Sequence, residues 1–189
     1  KNLPQLPEGA EGWFAVPSVD AIAAKHFPEV TDSVEKYCRA VQLVHTKIAK
    51  SRSFYNYREG QITTAQLRVS ARTAHVLDLI VAGQPGDILI HACQLGMRHR
   101  GRSVRLAREV MQVNEFGLGA FAVGIMILTH PERLMHYDDL YVDCAGDEFD
   151  DPDSVGRFDR APYFDFGDDR VRFDAYWFGD ARGFCGSVS

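Results

Sequence analysis

Hydrophobic residues in this chain keep two different periods, and the switch between them restricts the folds open to it. In TDSVEKYCRAVQLVHTKIAK, the residues Val34, Tyr37, Cys38, Val41, Val44 and Ile48 recur at steps of three and four, one stripe along a helix. In YFDF and RVRFDAYWF, on either side of Gly167-Asp168-Asp169, the pattern is alternation. Phe164, Phe166, Val171, Phe173, Ala175 and Trp177 are expected to face inward, and Asp165, Arg170, Arg172 and Asp174 outward, as in a hairpin with one apolar face. Helices that lead and strands that follow mark the α+β class.

The remaining elements are read from caps and breaks. Residues 1–17 are rich in Pro and Gly and read as an arm docked by Trp13 and Phe14. Ser18 caps a short helix carrying Val19, Ile22 and Ala23, which ends near Phe27-Pro28. Asp32 with Glu35 is a capping box that opens the long helix. Thr63 with Gln66 is a second one, predicting a helix with Leu67, Ala74, Leu77 and Val81 on one face, stopped by Gly83-Gln84-Pro85-Gly86. DILIHACQ (87–94), FAVGIMILT (121–129) and LYVDC are short apolar runs, each expected to be a strand, with a helix over SVRLAREVM. The stretch from Ala145 to Ala161 is acidic and aperiodic, the pattern of a long mobile loop.

Glycines at 117, 119 and 124 flank or interrupt one expected strand, and glycine bends strands. The expected architecture is therefore N-terminal helices packed on a strongly curved mixed sheet or partly closed β-barrel, ending in a C-terminal β-hairpin. A flat sheet with helices on one face is the alternative. The organisation reads as a single domain over 1–189, mainly helical over 1–83 and mainly β over 84–189.

Four widely spaced cysteines form no CxxC pair, and three lie in apolar segments, which suits free core thiols in a reducing compartment. The segment KNLPQLPEGAEG has no apolar h-region. The apolar run from Leu118 to Leu128 is shorter than the about 20 residues a membrane helix needs. The expectation is a cytoplasmic protein with no membrane partner and no cofactor.

Charge is the most uneven property of the chain. Residues 138–180 hold 14 acids and 4 arginines, a net of −10, while the rest is at +5, giving −5 overall. In the basic part, GMRHRGRSVRLARE places Arg98, Arg100, Arg102, Arg105 and Arg108 together without an acid between them. Guanidinium groups are the preferred bidentate partners of phosphate and carboxylate. A helix beginning near Ser103 would add its free N–H groups, so this loop is the candidate anion site. The competing account pairs these arginines with the chain's own surplus of acids. In SRSFYNYRE, the rings of Phe54, Tyr55 and Tyr57 lie between Arg52 and Arg58 and are candidate stacking residues for bases. A hydrophobic connection packed on the sheet is the simpler account of them.

The acid-rich VDCAGDEFDD suggests an alternative. Asp143, Asp147 and Glu148 could hold a divalent cation beside the arginines and cleave a phosphodiester. A solvated acidic segment that meets a basic protein partner is the third reading. His91, Cys93 and Cys144 lack the spacing of a zinc site. FGLGAF is not a nucleotide-binding glycine motif, and DFG at 165–167 has none of the other kinase motifs. The leading expectation is polyanion binding, nucleic acid above all, through the arginine loop.

Overall fold

The computed structural model describes residues 3–189 and is α+β, with five α-helices and nine strands. β1 (Gly12–Pro17) pairs antiparallel with β4 (Ile88–Cys93) as a separate ribbon, Phe14 opposite His91 and Val16 opposite Leu89. Of the expected arm over 1–17, residues 1 and 2 lie outside the described residues and 12–17 are part of a ribbon, with Phe14 buried and Trp13 half-buried. α1 (Val19–His26) is capped by the Ser18 hydroxyl, and α2 (Ser33–Ser51) by Asp32, which accepts from the Glu35 N–H at 2.8 Å.

The larger sheet runs β2 (Phe54–Asn56), β8 (Arg170–Trp177), β7 (Arg160–Gly167), β5 (Tyr141–Asp143) and β9 (Cys185–Ser187). β6 (Asp147–Phe149) also pairs with β7, and β3 (Leu67–Val69) pairs with β6. β2 with β8 and β5 with β9 are parallel, so the sheet is mixed. The β7–β8 hairpin forms as its alternation predicts. Its two turn residues, Asp168 and Asp169, have φ of 52° and 56°, the geometry that matches strand twist across a two-residue turn.

One face of this sheet carries Phe164, Phe173 and Val171 against α2 and α5 (Ala120–Thr129). Gly124 makes the close crossing of those helices possible, since a Cβ there would lie 2.6 Å from Val44 Cγ1. Phe166 is half-buried and packs against the core as expected. Two residues depart from the simple inward–outward pattern: Trp177 is exposed at the end of β8, and Asp165 is buried in a 2.6 Å pair with Arg172. The second face is polar and aromatic rather than simply solvated.

Several expected elements are replaced. The run at 121–129 is a helix, α5, not a strand. Its residues are apolar on every face, including the partly buried Ala122, Ile125 and Leu128, and such a run carries no readable period. Its start signal is tertiary: the Asp147 carboxylate accepts from Ala120 N at 2.7 Å, and Gly119 offers no cap of its own. With the glycines at 117, 119 and 124 placed in a loop and a helix, no glycine-bent strand exists to roll the sheet up. The sheet is accordingly open, with β2 and β9 at its edges.

Thr63–Gln66 forms a turn that leads into β3, and the helix begins later, as α3 (Ala71–Gly83) after Ser70. The segment from Ala145 to Ala161 is loop only over 150–159. It contains β6, whose Phe149 is fully buried. β9 follows the hairpin, so the hairpin does not end the fold. The β-rich half also holds α4 (Val104–Val110) and α5, while the helical half supplies β1, β2 and β3.

Candidate anion-binding face

β4 leads directly into the arginine loop. The buried Gln94 sets the exit: its Oε1 accepts from Gly96 N at 2.8 Å and Arg98 N at 3.1 Å, and its Nε2 donates to Ser187 O at 2.8 Å. Gly96, at φ 102°, passes so close to β9 that a Cβ would sit 2.8 Å from Gly186 O. A single 3-10 turn over Met97–His99 follows, and Gly101 N donates to Cys185 O at 2.9 Å. The Ser103 hydroxyl then caps α4, accepting from Leu106 N at 3.2 Å. Arg105 N donates to Phe178 O at 2.9 Å. Two of the N–H groups expected to face an anion, those of Arg105 and Leu106, are thus already used, and α4 has only seven residues.

The five arginines divide by what they touch. Arg108 is a structural clamp: Nε donates to Ala145 O at 2.9 Å and Nη2 to Asp147 O at 2.6 Å, holding the turn between β5 and β6. Burial lowers its pKa from the ordinary arginine value, against the opposing pull of Glu148 and Asp147. Arg102 donates to Nδ1 of the buried His99 at 2.9 Å, and His99 Nε2 lies 2.7 Å from Glu115 Oε1. His99 therefore accepts at Nδ1 and donates at Nε2. Burial would raise Glu115, but hydrogen bonds from Ser189 and His99 outweigh it and hold the carboxylate below its usual range.

Arg98 reaches the same Glu115 at 3.4 Å and the Glu8 carbonyl at 3.2 Å. Arg100 is exposed and uses Nε on the Gly183 carbonyl at 3.0 Å. Arg105 is exposed with its guanidinium 5.9 Å from the centroids of both Trp177 and Phe178, in cation–π range. Among the described residues, only Arg98 of the five is paired with a carboxylate. Pairing with the chain's own acids accounts for Arg98, and none of the five is paired with a carboxylate of residues 138–180.

The rings expected to stack are elsewhere. β2 holds Phe54 and Tyr55, with Tyr57 just beyond, on the edge of the sheet opposite β9 and the arginine loop. Phe54 packs on His45 at 5.2 Å, Tyr55 and Tyr57 meet edge-on at 4.7 Å, and Arg170 lies over Tyr55. The rings beside the arginines are Trp177, 47% exposed, and Phe184, 50% exposed, next to the carbonyl that holds Arg100. Alternation placed Trp177 inward, which concealed it. Phe184 was detectable as a lone large ring between Gly183 and Cys185 in a polar segment.

Asp143, Asp147 and Glu148 do not converge. Asp143 is buried and accepts from the Tyr176 hydroxyl at 3.1 Å. Asp147 is buried and accepts from the Tyr37 hydroxyl at 2.8 Å as well as from Ala120 N. Glu148 pairs with Arg68 at 2.7 Å. Among the described residues, no group of three His, Cys, Asp or Glu side chains is placed to hold a metal ion. All four cysteines are buried free thiols. Among the described residues, no helix is long and apolar enough to cross a membrane. Comparison with protein-family models, curated proteins and solved structures returns no match.

Proposed function

We propose that this chain binds a polyanion, single-stranded nucleic acid above all, across Arg98, Arg100, Arg102 and Arg105, with Trp177 and Phe184 as stacking surfaces. The observation that carries the reading is the exposure of Arg100 and Arg105 without carboxylate partners, beside two half-exposed rings. Phosphates would meet the guanidinium groups, and bases the ring faces, a combination that favours a flexible single strand. The net of −10 over residues 138–180 works against a long duplex lying across the molecule.

Contacts of this kind release counterions, so affinity falls steeply with salt. The test is binding of short labelled single strands and duplexes over a salt titration, for wild type, Arg100→Ala, Arg105→Ala and Trp177→Ala. Each arginine variant should weaken binding and flatten the log–log salt slope by about 0.7 per lost phosphate contact. Trp177→Ala should weaken binding with the salt slope unchanged. Absence of binding at low salt, or affinity indifferent to all three substitutions, would leave the arginines as structural residues. A basic protein partner for the acidic quarter would then become the better reading.

A further inference from the structure

α3 is attached at its ends and unsupported between them. Of its thirteen residues only Thr73 is buried. At the N-terminal end the Thr73 hydroxyl donates to Gly117 O at 2.8 Å, and Arg72 Nη2 donates to Glu115 O at 2.6 Å. At the other end Gln84 exchanges two hydrogen bonds with the Ile90 backbone, at 2.9 and 2.8 Å. Between these ties Ala74, Leu77 and Val81 form an apolar row along a cavity of about 520 Å³. Val16 and Leu89 of the ribbon form the facing wall, with Leu118 and Phe121 beneath. The volume falls within the range of about 300–1,000 Å³ usual for small-molecule sites. None of the five loop arginines lines it.

We infer that the cavity under α3 binds a neutral, largely apolar small molecule carrying one hydroxyl group. The apolar walls account for the body of such a ligand. The hydroxyl is assigned from His91, which lines the cavity: its Nδ1 is sealed inside the protein without a partner, which leaves Nε2, also without a hydrogen bond, to meet a ligand. A neutral imidazole offers one N–H and one lone pair, and a hydroxyl can answer either. Charge at the mouth argues against an ionic head group. Lys36 is held by Asp20 and Arg68 by Glu148, each at 2.7 Å, so neither cation is free for an anion. A cation would find Asp20, already paired with Lys36, and Asp78, which is exposed to solvent.

The test uses N-phenyl-1-naphthylamine, a neutral fluorophore, displaced by 1-octanol, octanoate or octylammonium. Probe uptake should saturate at one per chain, and octanol should displace it at about one-tenth the concentration needed for either ion. Leu77→Trp, or Ala74→Phe if the first variant loses its helical circular dichroism, should fill the cavity and abolish uptake. His91→Phe should keep the probe and weaken octanol about tenfold. Arg100→Ala should change none of this, so failure of the nucleic-acid reading and failure of this one are separable. Either ion binding as tightly as octanol, probe uptake that survives cavity filling, or no saturable uptake overturns the proposal. So does a wild-type dimer that Leu77→Glu converts to monomer, because the apolar row is then a subunit contact.

Discussion

Arg100 and Arg108 belong to one basic cluster and serve different ends. Arg108 satisfies two buried carbonyls at the turn between β5 and β6, whereas Arg100 touches a single carbonyl and is exposed. A charged hydrogen bond to a buried partner contributes about 1.5–3 kcal/mol. Arg108→Leu should therefore cost about 3 kcal/mol or more in urea unfolding, and Arg100→Ala less than about 0.5 kcal/mol. Equal midpoints for the two variants would remove the distinction. The cluster itself is visible in the sequence because arginines without local acids stand out. Which arginine is structural is not, because the carbonyls that select Arg108 belong to residues 145 and 147, beyond α5 in the chain.

Among the elements, α2 and the hairpin are legible because their stripes face one core and their caps and turn residues are local. Asp32 caps α2, and Asp168-Asp169 turns the hairpin. α5 is illegible because its own residues are apolar on every face and its cap is Asp147. α3 is legible in part. The face of Ala74, Leu77 and Val81 is real, but it borders a cavity instead of a core, and the helix starts at Ala71 because Thr63–Gln66 is spent on the turn into β3. This difference in support sets local stability. By hydrogen exchange, amides from His75 to Ile80 should open at least about 100-fold more readily than those from Val123 to Ile127, a gap of about 3 kcal/mol. Comparable protection would mean that α3 is anchored by more than its ends.

At the scale of the whole molecule, buried titratable groups pull stability in opposite directions. His45 lies among Phe54, Phe164 and Phe173, both ring nitrogens without partners, and burial pushes its pKa down to about 3. The unfolded chain takes up that proton near the ordinary 6.5 and the folded chain does not, so stability from this site is lost as pH falls below 6.5. Burial raises Asp143 and Asp147 to about 7, against hydrogen bonds that favour their charged forms. The folded chain keeps those protons after the unfolded chain has released them, so their contribution is lost as pH rises from about 4 toward 7. Relative to wild type, His45→Leu should gain about 1.4 kcal/mol for each unit that pH falls between about 6 and 4. Parallel stability curves for the two proteins would refute the assignment. The same buried Asp147 has a consequence in time. Translation completes α5, the most apolar helix, before it reaches the residue that caps it or the strands that cover it. Until Asp147, Phe164 and Phe173 leave the ribosome, that helix has neither its cap nor the sheet it packs against, so the last quarter of the chain decides when the first three quarters can settle.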